Sequence, residues 1–253
     1  MEARAAVGDE DFEWAKLARF KRVVDHSLDV IREALKIGRL GVSFSGGKDS
    51  TCTLALVREV DPSAPAAFFD SGCELDSTLA LVREVGAQTI HPRLTMLELA
   101  RYSGWWGYAN PVDRGCPFDA KCILIQEPSE TFVVKHRLRV LAIGMRAEES
   151  GSRAVHLKTR GELYEGADRT WYSNPVARWD LRDVWAFIAS RGLAYNAAYD
   201  RMTAAGVPRE SQRVAGALGE RGSGWGRHAI LRAAHPEVWA RLVLEFPGLS
   251  VSS

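Results

Sequence analysis

The chain is short of cysteine, of long apolar runs and of net charge, and each shortage removes a class of protein. Its 253 residues include four cysteines (Cys52, Cys73, Cys116 and Cys122) and no Cys-x-x-Cys pair. That is too few thiols for a disulfide framework, and no zinc or redox spacing can be read from them. Apolar runs such as 140–143 fall far short of the roughly 20 residues that span a bilayer. Residues 1–14, MEARAAVGDEDFEW, turn acidic and hold no apolar centre. No secretion signal is therefore visible, and a cytoplasmic location with no membrane partner is expected. A formal charge of +1 gives no overall attraction to nucleic acid or membrane. No internal repeat or low-complexity linker interrupts a composition of 46% hydrophobic and 26% charged residues, which is ordinary for a globular chain.

What is present is organised around residues 40–51, LGVSFSGGKDST. Leu40, Val42 and Phe44 suit a buried strand, and the apolar pattern resumes after Thr51 with Leu54, Leu56 and Val57 on a helix. Two glycines between them, Gly46 and Gly47, let the backbone turn sharply and approach a ligand closely. The helix then starts with unpaired N–H groups and a partial positive charge, both favourable to phosphate. Ser45, Ser50 and Thr51 add hydroxyls and Lys48 a cation, while Asp49 adds a carboxylate suited to Mg²⁺ among phosphate oxygens. The Walker spacing, with four residues between its glycines and a final Gly-Lys-Ser/Thr, is absent.

Around this stretch strand and helix alternate. Residues 10–37 carry a helical apolar period (Phe12, Leu17, Phe20, Val24, Leu28, Ile31, Leu35), and the spacing predicts one helix stopped by Gly38. Residues 66–69 read as a second strand ending in Asp70-Ser71-Gly72, 74–85 as a helix, and 88–90 as a third strand. Such alternation predicts a parallel sheet with helices on both faces, its ligands beyond the carboxyl ends of the strands. Tyr102, Trp105, Trp106 and Tyr108 sit among glycines, as a loop stacking on a planar ligand or as apolar ballast for a long loop. Residues 139–145 form the next buried strand, and 155–174 alternate as a hairpin or extended excursion. Asp180 caps a helix ending before Gly192. From 201 to 241 seven arginines face three glutamates, either as a surface for anions or as a solvated helical face. The whole is expected to be one domain: an N-terminal helix over 1–38, an α/β core over 39–192 and an arginine-rich helical segment over 193–253.

Five stretches then resemble one family in the right order. They are SGGKDS at 45–50, FDSG at 69–72, GMRAEESGSR at 144–153, NPVARWDLRDVW at 174–185 and YNAAYD at 195–200. Together they resemble the phosphoadenylyl-sulfate reductase family, which is similar to the N-type ATP pyrophosphatases with their pyrophosphate (PP) loop. The nearest branch by resemblance is the ATP pyrophosphatase of DNA phosphorothioation. The resemblance implies an adenine nucleotide alpha hydrolase-like fold: a Rossmann-like five-stranded parallel sheet with helices on both faces and helical additions at both ends. It also implies that Ser45, Gly46, Gly47, Lys48, Asp49 and Ser50 hold phosphates. Asp70 and Gly72 would lie near ribose and phosphates, and Arg146, Glu148, Ser150 and Arg153 at the anionic end of the nucleotide. An arginine fork pairs bidentately with phosphate or sulfate, as lysine cannot.

The departures from the family narrow the expectation. Its reductases use a cysteine in a C-terminal Glu-Cys-Gly-Leu-His motif, whereas residues 201–253 contain no cysteine. Cys73 follows the Asp-Ser-Gly turn, and Cys116, with Lys121 and Pro128, resembles the family's Cys…Lys…Pro stretch. Both are candidates for sulfur or redox chemistry. An iron–sulfur cluster would need all four cysteines to converge, and Cys52 is expected to face the sheet. The expected activity is ATP pyrophosphatase: ATP with Mg²⁺ near Asp49, Lys48 and Arg146 stabilising the transferring group, and adenylylation of an acceptor that the sequence leaves open among DNA, tRNA, a small metabolite and sulfate. Sulfur would come from a donor protein such as a cysteine desulfurase. The rivals are sulfonucleotide reduction or activation, and a non-catalytic nucleotide-binding module.

Overall fold

The computed structural model describes residues 6–107, 118–214 and 227–251. Its elements run α1 (Asp9–Ala15), α2 (Ala18–Ile37), β1 (Leu40–Ser43), α3 (Lys48–Val60), β2 (Ala66–Phe69), α4 (Asp76–Glu84), β3 (Gln88–Ile90) and α5 (Met96–Ser103). A π-helical turn (Cys122–Gln126) leads into α6 (Glu127–His136), followed by β4 (Val140–Ile143), α7 (Gly151–Arg160), β5 (Leu163–Glu165), β6 (Trp171–Ser173) and α8 (Leu181–Arg191). The chain closes with α9 (Ala198–Ala204), α10 (Arg227–Ala234), α11 (Pro236–Glu245) and α12 (Gly248–Val251).

The sheet has the order β3-β2-β1-β4-β6-β5. Five strands are parallel, as expected, and β5 adds a sixth, antiparallel to β6. The expected five-stranded count is corrected for a local reason: Gly166 and Arg169 close a tight turn, and residues 163–165 fold back onto 171–173. The same region corrects a second expectation. Residues 155–160 belong to helix α7, capped by Ser150 Oγ, so only the later part of 155–174 is a hairpin.

Parity along the strands shows why both faces must be apolar. On β1 and β4, Leu40, Val42, Val140 and Ala142 join the core beneath α2, α3 and α8, while Leu141 points to the opposite side beneath α6. Strand β2 divides the same way, with Ala66 and Phe68 on one face and Ala67 on the other. A strand covered on both sides reads as a continuous apolar run, as these do. Gly41 is the exception that fits the rule, because a Cβ there would lie 2.5 Å from Leu138 Cδ1 and 3.1 Å from Phe132 Cε1.

The helix expected over 10–37 is broken at Lys16 and Leu17, with Leu17 extended. The buried Asp183 of α8 gives the reason. Its Oδ1 accepts from Trp14 Nε1 at 2.9 Å and from Arg19 Nη1 at 2.7 Å. In an unbroken helix residues five apart point about 140° away from each other, so both could not reach one oxygen. Arg209 ties the other end of α1 down through Asp11 and the Ala6 carbonyl. Among the described residues no helix is long and apolar enough to cross a membrane.

A close backbone approach joins the end of β4 to the start of α3. A Cβ on Gly144 would meet Asp49 C and Ser50 N, both at 2.7 Å. Gly144→Ala should therefore destabilise the fold by about 1–3 kcal/mol, read as a lower urea midpoint. Gly151→Ala, with open space at its Cβ, should leave the midpoint in place. Equal midpoints for the two variants would mean that the end of β4 does not press on the start of α3.

Candidate active site

The carboxyl ends of β2, β1 and β4 lie side by side and present three segments along one edge. The central one is the loop after β1. Ser45 N–H donates to Ser50 Oγ (3.2 Å), and Ser50 Oγ–H donates to the Gly47 carbonyl (2.9 Å), closing the loop on itself. Gly46 has a left-handed φ of 71°, and a Cβ on it would strike Thr78 Cγ2 at 2.7 Å, so glycine is required twice over. Asn196 Nδ2 bonds both the Gly46 carbonyl (3.3 Å) and Thr78 Oγ1 (2.8 Å), fixing the turn to α4. The first backbone bond of α3 runs from Thr51 N–H to the Gly47 carbonyl (2.9 Å), so the N–H groups of Asp49 and Ser50 precede the intrahelical ladder.

Lys48 and Arg146 are buried, and Asp49 largely so. Lys48 Nζ lies 3.2 Å from Asp49 Oδ2, and Arg146 Nε lies 2.5 Å from Asp49 Oδ1. Arg146 also meets Glu148, which is half exposed, and the Trp179 carbonyl. Burial pushes the Asp49 carboxyl up, but Lys48 and then Arg146 outweigh it, so its affinity for protons falls below the ordinary carboxylate range. Burial likewise opposes the Arg146 charge, and Asp49 with Glu148 overcomes it. Two buried cations thus meet at Asp49 at a helix N-terminus, and Glu148 matches the second charge, that of Arg146, from the surface side.

Asp70 and Gly72, expected near the ribose, end β2 one strand over. Asp70 accepts from Gly72 N–H (2.8 Å) and stands 3.6 Å from His91 Nδ1. Gly72 is left-handed (φ 79°) and packs on Thr95. On the other side, Ser150 caps α7 by accepting from Arg153 N–H (3.3 Å), and Arg153 pairs with Glu149. The expected residues therefore divide: Ser45–Ser50 and Arg146 form one connected unit, Glu148 touches it through Arg146, and Ser150 and Arg153 build its flank.

The sequence did not assign roles to Tyr199 or Gln212. The Lys48 N–H donates to Tyr199 Oη (3.0 Å), and Lys48 Nζ faces the Gln212 carbonyl at 3.5 Å. The signal for Tyr199 was its place in the YNAAYD stretch; Gln212 carried none.

A metal on Asp49 would have to displace Lys48 or Arg146. The residues present therefore suit an anion such as phosphate better than a bare cation. Among the described residues no group of three or more His, Cys, Asp or Glu side chains could hold a metal ion. Cys52, expected to face the sheet, is fully buried in the core that holds Leu40, Val42, Val140 and Ala142, with Sγ 3.5 Å from the Val184 carbonyl of α8. Cys116 lies outside the described residues. Burial pushes the Cys73 thiol up to about 12, with Glu74 and Asp70 adding to it, and burial raises the Cys52 thiol as well. Trp105 and Trp106 pack on the core, Trp106 edge-on to Phe246 at 5.5 Å, which favours ballast over ligand stacking for these two. Among the described arginines after 200, Arg201 pairs with Glu237, Arg209 with Asp11 and Glu10, and Arg213 with Glu149, while Arg232 lies over Trp239.

The profile of the phosphoadenosine phosphosulfate reductase domain matches residues 39–204. The uncharacterized protein YbdN of Escherichia coli (strain K12) is 27% identical over 255 aligned positions, 83% of this chain and 62% of its own length. The uncharacterized protein MJ0973 of Methanocaldococcus jannaschii is 26% identical over 208 positions, covering 76% of this chain and 47% of its own length. The chain thus spans between about half and two thirds of these relatives. The crystal structure of phosphoadenylyl-sulfate reductase from Candida auris, a phosphate complex, superposes with a TM-score of 0.51 at 16% identity over 72% of this chain and 89% of that one. That likeness is one of fold.

The geometry around Lys48 and Cys73 can be probed directly. Tyr199→Phe keeps the ring against Trp185 but strands the buried Lys48 N–H, and should cost about 1–3 kcal/mol in urea unfolding. An unchanged midpoint would mean that this N–H finds another acceptor. Cys73, its thiol pushed up to about 12 by burial, should resist iodoacetamide at pH 8. Its labelling, followed by mass spectrometry, should climb only as pH approaches 12; rapid labelling at pH 8 would contradict the buried thiol.

Proposed function

The chain belongs to the phosphoadenosine phosphosulfate reductase domain family, and from that premise we propose that it is a PP-loop ATP pyrophosphatase serving sulfur incorporation. ATP, carrying Mg²⁺ on its phosphates, would seat its β- and γ-phosphates in the 45–50 loop. An acceptor oxygen attacks the α-phosphorus, the bond to the bridging oxygen breaks, and pyrophosphate leaves with the negative charge. Loop N–H groups and Lys48 hold the departing phosphates, and Arg146 meets charge on the transferring group. The terminal sulfur of a persulfide-bearing donor, such as a cysteine desulfurase, then displaces AMP from the adenylylated acceptor, for which nucleic acid is the proposed class. A second thiol cleaves the resulting acceptor–S–S–donor bond, leaving the thiolated acceptor and a disulfide.

The observation that supports this most is the buried Lys48–Asp49–Arg146 string at the N-terminus of α3, where the N–H groups of Asp49 and Ser50 precede the helical ladder and the helix dipole favours phosphate. Among the described residues the cysteines favour adenylyl transfer over thiol-based reduction. Nucleophilic thiols need a lowered pKa, whereas those of Cys52, Cys73 and Cys122 are all raised.

Incubation with α-labelled ATP and Mg²⁺, with and without candidate acceptors, tests the reading. AMP with pyrophosphate, or an adenylylated acceptor, is expected. Lys48→Ala should lower pyrophosphate release at least about 100-fold while the circular dichroism spectrum is retained. Undiminished release by that variant would remove Lys48 from the mechanism. Intact ATP together with tight binding of phosphoadenylyl sulfate would replace adenylyl transfer by sulfonucleotide chemistry.

A further inference from the structure

The family match ends at residue 204, yet a segment that closes on the phosphate loop comes later in the chain. Gln212, Arg213 and Val214 each meet the site differently. The Gln212 carbonyl faces Lys48 Nζ at 3.5 Å. Val214 packs at Gly47, its Cγ2 3.6 Å from where a Cβ on that glycine would stand. Between them Arg213 reaches the flank built after β4, where its Nη1 lies 3.4 Å from Glu149 Oε1. Buried contacts pin the segment: Gln212 Nε2 donates to Thr203 Oγ1 and to the Val207 carbonyl, both at 3.0 Å. The backbone of Arg213 is thus held against the loop, while its side chain is 42% exposed.

Glu149 is shared among several donors. It is largely buried, pairs with Arg153, and accepts the Arg146 N–H at 3.0 Å through the same oxygen that meets Arg153. Two guanidinium groups on one carboxylate leave a positive charge unmatched. Arg213 makes the looser contact, at a distance where a hydrogen bond is weak. A guanidinium with spare donors beside a phosphate loop is chemically suited to phosphate oxygens.

We propose that Arg213 is a substrate-binding residue that exchanges Glu149 for the polyphosphate seated in the 45–50 loop, adding a second cation to Lys48 from outside the family core. The inference rests on reading that loop as a polyphosphate site. Its ligand class is two or more linked phosphates, as in pyrophosphate or the tail of a nucleoside triphosphate. The nucleoside is not part of the contact.

Calorimetric titration of the full chain with inorganic pyrophosphate, and separately with AMP, tests it. Arg213→Gln should weaken pyrophosphate binding about tenfold and leave AMP binding unchanged, and Arg213→Lys should recover part of the loss. Arg201→Gln, whose partner Glu237 lies on the surface, should bind pyrophosphate as the wild type does. Glu149→Gln should tighten binding by releasing Arg213, whereas a merely structural bridge would make both bridge variants bind more weakly. Wild-type affinity in Arg213→Gln, or weakening by Glu149→Gln, overturns the role. A wild-type chain that binds no pyrophosphate sinks this inference and the loop reading together. One that binds it but releases none from ATP sinks adenylyl transfer alone.

Discussion

Two buried cations sharing one carboxylate at a helix N-terminus set the terms for everything around them. A buried charge is costly unless it is paired and hydrogen-bonded. Asp49 meets Lys48 and Arg146 at once, and its carboxyl is held ionised by them against the cost of burial. The string exists only because β4 runs beside β1 and Gly144 lets its backbone touch the start of α3. Tyr199 then holds the Lys48 N–H, and Asn196 holds the Gly46 carbonyl. The α3 N-terminus, whose first N–H groups precede its ladder, adds a partial positive charge that favours an anion there.

The scaffold supplies that geometry through burial on both faces. Alternate residues of β1, β2 and β4 face opposite cores, so a one-residue slip would exchange the packing of α3 and α8 for that of α6. The amino-terminal helices are part of the same structure. Asp183 takes Trp14 and Arg19, Asp11 takes Arg209, and Arg209 precedes by only a few residues the segment that lies on Lys48. Chain that looks peripheral in sequence is therefore mechanically connected to the phosphate loop.

The fold was largely legible because its signals are local and periodic. Buried parallel strands read as apolar runs, and the glycine pair before Lys48 marks a strand–loop–helix junction. The misreadings came where tertiary contacts overrode a local pattern. The period over 10–37 continues through Leu17, but Asp183 recruits side chains from both sides of a break. The alternation over 155–174 spans a helix and a hairpin, because Ser150 caps α7 and Gly166 helps turn β5 back on β6. Within the site, Ser150 and Arg153 share a motif with Arg146, yet motif membership does not distinguish a residue joined to Asp49 from one that caps or flanks it.

The sequence by itself determined the alternation of strand and helix, the glycine loop and the identity of the groups that can meet phosphate. These follow from residue type and spacing within a few turns of chain. Only the tertiary structure decided that Asp49 is paired on both oxygens, that Cys52 is spent on a helix contact, and that Tyr199 and Gln212 attend Lys48. Apart from the neighbouring Lys48–Asp49 pair, those facts join residues separated by about a hundred positions or more. A side chain's charge is written in the chain, whereas the partner that uses that charge is chosen by packing.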